Sequence, residues 1–335
     1  MLFLQPRDGR PRLTQKGMTM KNTPKKRKSR LVETEDGRLL IKSPMAYVYL
    51  LLPMAFLCLF VLFPTVMAGR MAFFQKYNFM KSLGTGFGTN AFEYVLHDKV
   101  FWQAAKNTGI LMVVALPATV VLSLMFALLI NAIKRLKGMF QALFFLPYVT
   151  SSIAIGAAFQ WLFHSEYGYF NWFISLFGAA PQKWLTDSAC VIWALCIFCI
   201  WNGLAYKIVL FLAGLQKVDK EVYKAAKIDG TSPWRTTVKI TLPLLAPTTW
   251  MVSMMSMIYT AKTYNEVYSL FTSYGGGGSA GPGNNAITLV YYIYYQFYER
   301  QKVNYAAAAA IIFLAVILLL TTIQRLVAKK FVQYV

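Results

Sequence analysis

Six stretches of the sequence, 44–68, 107–133, 139–163, 188–214, 244–261 and 305–324, run apolar for 18 to 27 residues and hold one charged side chain between them, Lys207. About 20 apolar residues let a helix cross roughly 30 Å of hydrocarbon. A segment in lipid must satisfy its own backbone hydrogen bonds, and a helix does so. The pattern therefore predicts an all-α membrane protein with six transmembrane helices and no substantial soluble domain. The longest connection, 69–106, is expected to form a small cap with a short helix from Glu93 to Lys106.

Composition agrees with that pattern. The 335 residues are 57% apolar and 14% charged, with a mean hydropathy of +0.46, whereas a soluble domain is nearer a quarter charged. The net charge of +21 raises the question of a nucleic-acid partner, and its distribution answers against one. Residues 1–42 carry twelve Lys/Arg and four acids. With the short connections 134–138 and 215–240 and the C-terminal tail, that side holds 24 basic residues and the opposite side nine. Cytoplasmic connections are the positive ones, so both termini are expected in the cytoplasm of a multi-pass protein of the cell (inner) membrane. Residues 1–42 read as a disordered basic tail that touches anionic lipid headgroups. Residues 43–335 read as the membrane domain. The first apolar run starts more than 40 residues in and lacks a small-residue cleavage site, so it is read as a span and not as a signal peptide.

The connection 215–240 stands apart from the other loops. Residues 219–228 favour helix, with Val222, Ala225, Ala226 and Asp229 on one stripe. Asp229-Gly230 stops that helix, because glycine takes the left-handed cap conformation cheaply. Ser232-Pro233 restarts it as an N-cap followed by proline at the first helical position. The prediction is a rigid elbow that a partner can push.

The run Lys224-Ala225-Ala226-Lys227-Ile228-Asp229-Gly230-Thr231, followed by Ile240-Thr241-Leu242-Pro243, resembles the EAA loop of binding-protein-dependent ABC importer permeases. Within them it is most similar to the carbohydrate group of maltose-type and glycerol-phosphate-type permeases, whose pattern is Glu-Ala-Ala-x-x-Asp-Gly-Ala and then Ile-Thr-Leu-Pro. Phe145-Leu146-Pro147, Trp184-Leu185-Thr186 and Gly281-Pro282-Gly283-Asn284 extend the likeness over most of the chain from about residue 44. The sequence departs from the pattern at Lys224, where the motif has Glu and Glu221 stands a turn earlier, and at Thr231 and Thr237. The resemblance implies a type I ABC importer permease fold with a cytoplasmic coupling helix. It implies that Glu221, Lys224, Ala225, Ala226, Asp229 and Gly230 dock on an ATP-binding cassette ATPase dimer that hydrolyses ATP as a separate subunit. It also implies a second homologous permease, an extracytoplasmic sugar-binding protein, and translocation of a saccharide by alternating access.

Polar residues inside spans are costly and mark pathways. The fourth run holds Trp201, Asn202, Gly203, Tyr206 and Lys207, with Gly203, Tyr206 and Lys207 on one helical face. The resemblance implies that this stretch lines the sugar site; Gly203 and Tyr206 match its pattern, as does Asn265 beyond the fifth run. Aromatic faces with a few oriented polar groups suit a sugar. Lys207 has two readings. It faces the pathway and favours an acidic saccharide or sugar phosphate, with Lys262 in support, or it snorkels about two turns to the cytoplasmic interface. Tyr291, Tyr292, Tyr294 and Tyr295 read as an interfacial aromatic belt or as a sugar platform.

Catalytic chemistry is not visible. There is no Gly-x-x-x-x-Gly-Lys-Ser/Thr loop; Gly275–Gly278 reads as a flexible external loop. His97 and His164 fall in external segments. Cys58, Cys190, Cys196 and Cys199 lie in apolar runs; the Cys196/Cys199 spacing has no second pair to complete a metal site. No metal, cofactor or enzyme activity is expected. The alternative is a secondary transporter driven by an ion gradient. It would show intramembrane carboxylates or broken helix pairs, and no Asp or Glu falls inside any of the six runs.

Overall fold

The computed structural model describes residues 31–33, 39–41, 44–78, 83–133, 135–272 and 280–331. Two compact units divide after Phe63. In the first, β1 (Leu31–Glu33) pairs antiparallel with β2 (Leu39–Ile41), Val32 opposite Leu40. This ladder replaces part of the expected disordered tail; the remainder, 1–30, 34–38 and 42, lies outside the described residues. Helix α1 runs from Pro44–Leu57 through a π-turn at Cys58–Leu62 into Phe63–Ala72.

The second unit begins at Pro64 inside α1 and continues into an antiparallel hairpin of β3 (Phe74–Asn78) and β4 (Leu83–Phe87). Helix α2 (Asn90–His97) ends at Asp98, which N-caps α3 (Lys99–Ala132) by accepting from the Val100 amide at 2.9 Å. The expected helix Glu93–Lys106 is thus two helices, the second continuous with a span. Then follow α4 (Lys137–Val149), α5 (Ser152–Leu162), α6 (Tyr169–Ser175), α7 (Val191–Lys217), α8 (Lys220–Ile228), α9 (Pro233–Leu244) and α10 (Ala246–Ala261). Short helix α11 starts at Asn265–Val267 and widens into a π-turn at Tyr268–Thr272; α12 does the same at Leu289–Tyr294 and Tyr295–Glu299. Helix α13 (Val303–Phe331) closes the chain.

Among the described residues, four helices are long and apolar enough to cross a membrane unaided: Tyr47–Ala72, Lys99–Ala132, Val191–Lys217 and Val303–Ala328. The third expected span is not a single helix, and the fifth is one, α10, that is bent against α9 at its start. α4 and α5 meet at 99° and α9 and α10 at 66°, and each is long and apolar enough to cross only as a pair. At 1.5 Å per residue, the 11 residues of α5 reach about 17 Å, short of the bilayer core. The first break follows Pro147, which lacks a backbone donor. Thr150 and Ser151 turn extended there, and Thr150 Oγ1 donates to the Leu146 carbonyl at 3.0 Å. Pro243 and Pro247 flank the second break at Leu245.

Connections gather at two ends of the second unit. One carries the hairpin, α2, α6, α11 and α12; the other carries α8 and α9. The hairpin end is a packed layer, not a set of loops. Tyr291 and Tyr292 are fully buried there, in one core with Phe101, Phe163 and Phe198, so these two are neither belt nor platform. Burial and the Asp98 carboxylate, which accepts from Tyr292 Oη at 2.7 Å, push this phenol well above its ordinary range. Side-chain amides satisfy the irregular backbone. Asn107 Nδ2 donates to the carbonyls of Asn285 (2.7 Å) and Ile287 (2.8 Å), Gln160 Nε2 to those of Ser269 and Leu270, and Asn304 Nδ2 to those of Phe74 and Gln75. Buried carbonyls without such partners would each be costly. Toward the elbow end, α3, α7 and α10 pack through Ala127, Ile130, Phe211, Leu212 and Val252. Gly275–Gly278 lies outside the described residues.

Candidate functional site

The α4–α5 break leaves room in the second unit. A cavity of about 640 Å³ is walled by Tyr148, Thr150 and Ser152 at the α4–α5 bend, by α7, and by the end of α10 with the start of α11. From α7 it receives Asn202, Gly203, Tyr206 and Lys207, which recur with helical spacing on one face. Asn265 joins from α11. Five of the six expected pathway residues therefore meet at one place. Trp201 does not: about 100° per residue turns it off that face, and its ring packs on Phe159 at 5.0 Å.

Glu266 is the residue that the apolar pattern passed over. It lies outside the fifth charge-free run, yet the chain folds back and buries it in the cavity wall. Tyr259 Oη donates to Glu266 Oε1 at 2.8 Å, and Asn202 Nδ2 donates to the same oxygen at 3.3 Å and to Tyr259 Oη at 3.2 Å. The adjacency Asn265-Glu266 was the available signal. Tyr148, Ser152 and Tyr259 were likewise not singled out, because hydroxyls inside apolar runs are common.

Lys207 is buried, and its Nζ donates to the Gly203 carbonyl at 3.0 Å and lies 5.5 Å from the centre of the Tyr259 ring. The side chain thus runs back toward the start of α7. Snorkelling to the elbow end would need the opposite course, against the tilt of the helical Cα–Cβ bond. Gly203 makes room for the amine: a Cβ there would stand 2.7 Å from Lys207 Nζ and 3.0 Å from Thr119 Cγ2. Tyr206 stacks on Tyr148 at 5.5 Å and 19°. The cavity thus presents an ammonium, a carboxylate, amides, hydroxyls and phenol rings, a set suited to a polyhydroxylated ligand. Among the described residues no three His, Cys, Asp or Glu side chains gather as metal ligands would.

At the elbow end, Asp219 N-caps α8 by accepting from the Glu221 amide. The helix closes with two bonds, Gly230 N–H to the Lys227 carbonyl at 3.1 Å and Thr231 N–H to the Ala226 carbonyl at 3.0 Å, with Gly230 at φ +66°. That is the left-handed Schellman cap. Ser232 Oγ then caps the next turn at Pro233. Ala226 is buried, whereas Glu221, Lys224, Ala225, Asp229 and Gly230 are exposed. Ile228 is 86% and Trp234 78% exposed, so the elbow shows its neighbours an apolar edge. Lys224 Nζ pairs with Glu221 Oε1 at 2.7 Å, and the charge at the motif's Glu position is answered inside the helix.

Residues 119–333 match the family model of the binding-protein-dependent transport system inner membrane component. The chain belongs to this family. The lactose transport system permease protein LacF of Rhizobium radiobacter is 32% identical over 228 residues, covering 66% of this chain and 74% of LacF. The trehalose/maltose transport system permease protein MalF of Thermococcus litoralis is 30% identical, over 52% of this chain and 60% of MalF. The match to MalF thus spans under two thirds of that relative. A chain of a bacterial ABC transporter involved in the import of the acidic polysaccharide alginate superposes with a TM-score of 0.71 at 21% identity, covering 86% of this chain and 96% of that one. The alginate transporter in complex with an alginate pentasaccharide-bound periplasmic protein gives 0.70 at 20% identity. The fold is shared with these chains. Broken helix pairs and a buried carboxylate are features that an ion-driven carrier would also carry; here they occur in a member of a binding-protein-dependent family.

Proposed function

We propose that the chain is a transmembrane permease subunit of an ATP-driven, binding-protein-dependent carbohydrate importer, translocating a saccharide by alternating access. The observation that carries the reading is the cavity beside the α4–α5 break, where Asn202, Gly203, Tyr206, Lys207 and Asn265 converge with Glu266 and Tyr259. LacF and MalF are by name permeases for sugars, which supports a sugar as cargo. The four long helices and two bent pairs support six crossings in a type I arrangement, the bent pairs each counting as one. The 24-to-nine division of basic residues supports a cytoplasmic elbow end, cytoplasmic termini and an external hairpin end. Residues 1–42 then form a basic cytoplasmic tail, and 43–335 the permease domain.

In this reading α8 is the coupling helix. An ATPase dimer docks on Glu221, Lys224, Ala225 and Asp229 and on the apolar edge at Ile228 and Trp234, and Gly230 keeps the elbow stiff. ATP binding moves the elbow, the helices around the cavity rock, and a saccharide delivered by an extracytoplasmic binding protein enters from the hairpin end. A second, homologous permease completes the pore.

Two ammonium groups, Lys207 and Lys262, line the cavity against one carboxylate, Glu266. The positive excess favours an acidic saccharide. A neutral saccharide is the second reading, favoured by Glu266 itself, which offsets the Lys207 charge through Tyr259. The test is reconstitution with the ATPase, the partner permease and the binding protein. ATPase activity is expected to rise only when binding protein and saccharide are both present. Lys207→Met is expected to lower uptake of anionic relative to neutral saccharides. Transport that persists without the ATPase would overturn the reading; an unchanged ratio in Lys207→Met would remove the acidic preference alone.

A further inference from the structure

We infer that the segment 161–177 is a membrane-surface anchor that seats its aromatic side chains in the headgroup boundary of the leaflet at the hairpin end. The inference rests on the membrane placement proposed above and not on the cargo. Helix α5 ends at Leu162, and after one loop α6 and the residues flanking it present outward rings: Tyr167, Tyr169, Trp172, Phe173 and Phe177 are 54% to 76% exposed. Such a contiguous apolar surface is larger than isolated exposed residues explain.

The inner side of the same segment is held rigidly. Asn171 is buried, and its amide makes four close bonds: Nδ2 donates to the carbonyls of Ser165 (2.8 Å) and Gln182 (2.9 Å), and Oδ1 accepts from Gln182 N (3.0 Å) and Trp184 Nε1 (2.8 Å). Phe170 stacks on Phe163 at 4.6 Å and 17°. The outward rings are thus displayed by a fixed frame.

Two observations select lipid as the occupant. Residues 167–182 contain no charged side chain, and Glu166 and Lys183 bound them; a protein-docking rim is polar and charged, whereas Trp and Tyr bodies with polar edges suit the headgroup level. The surface also continues that of a candidate span: Trp161, 68% exposed on α5, touches Tyr167 with centroids 5.5 Å apart. An apolar face fixed parallel to the interface binds by burying its area at the acyl boundary. The anchor then fixes the outer end of α5 in depth, so that the α4–α5 bend, and the cavity wall it forms, works against a set level of the bilayer.

The test uses the assembled transporter in nanodiscs of phosphatidylcholine and phosphatidylglycerol. The phosphatidylcholine is brominated either near the headgroup or near the bilayer centre. The emission of Trp172 is obtained as wild type minus Trp172→Phe, a substitution on an exposed face that leaves the frame intact. Severalfold stronger quenching by the shallow bromines than by the deep ones is expected. A second measurement places a spin label at Phe173→Cys in a Cys58→Ser, Cys190→Ser background, with oxygen accessibility expected to exceed that of a water-soluble nickel complex. A Trp172 insensitive to both lipids, or a spin label shielded only after binding protein is added, overturns the inference; the latter outcome makes the face a protein dock. Saccharide-stimulated ATPase on the same samples reports the functional reading separately: quenching without stimulation keeps the anchor and drops the importer.

Discussion

Lys207 and Glu266 hold opposite charges on one cavity, joined through Tyr259, whose ring lies under the amine and whose hydroxyl donates to the carboxylate. Charges several ångströms apart at a partly buried site interact by about 1–2 kcal/mol, which is about tenfold in a binding ratio. Lys207→Met is therefore expected to lower the uptake of anionic relative to neutral saccharides about tenfold. Glu266→Gln is expected to move the ratio the other way. The double variant should return toward wild type, a non-additivity that a double-mutant cycle on uptake rates measures. Gly203→Ala makes a finer test. The added Cβ would crowd Lys207 Nζ, the movable end of a long side chain, and more mildly Thr119 Cγ2 on α3, so the amine shifts and the α3–α7 contact gives by a few tenths of an ångström while the helix keeps its fold. This variant should assemble normally and show part of the Lys207→Met phenotype, read by co-purification and uptake together. At this scale the sequence was informative wherever a polar group interrupted an apolar run, as at Asn202 and Lys207. At Glu266 it offered only the adjacency to Asn265, because a carboxylate past the end of a run looks like any loop residue until the chain is folded back.

The elbow was legible almost to the residue, because its determinants are local. An Asp at 219, a Gly at 230 and a Ser-Pro at 232–233 each act within one turn of the helix they start or stop. Gly230 has φ +66° and open space around its Cβ position, so its role is conformational alone. Gly230→Ala is expected to cost about 1–2 kcal/mol at the cap, and Gly230→Asn less, since Asn tolerates the left-handed region. The check is the ratio of ATPase activity with and without saccharide: Ala should loosen that coupling more than Asn, and equal effects would mean that the turn is not what matters. The bent spans were hidden for the opposite reason. A charge-free run gives no sign of a 99° break. Pro147 followed by Thr150, Ser151 and Ser152 was the usable signal, a missing donor followed by side chains able to take over freed carbonyls.

For the whole molecule, the membrane character was plain from apolar runs, while the packed layer at the hairpin end was not. That layer depends on amides reaching across the chain, as Asn107 does to Asn285 and Asn304 does to Phe74, and such pairings leave no local trace. The orientation rests on counting basic residues, a statistical imprint of insertion, and it fixes which end meets the ATPase. Chemical labelling decides it. Ile228 is 86% exposed at the elbow end and Phe87 67% exposed at the hairpin end, so a cysteine at either is open to reagent. Cys58 and Cys190 retain exposure, whereas Cys196 and Cys199 are buried; replacing the first two by Ser removes the background. With the permease expressed without its ATPase, Ile228→Cys should react with a membrane-impermeant maleimide only in inverted vesicles, and Phe87→Cys only in intact cells or spheroplasts. The reverse pattern would put α8 outside, away from any ATP, and the coupling proposed for Asp229-Gly230 would fail with it, whereas the cavity and its charge pair would remain as they are.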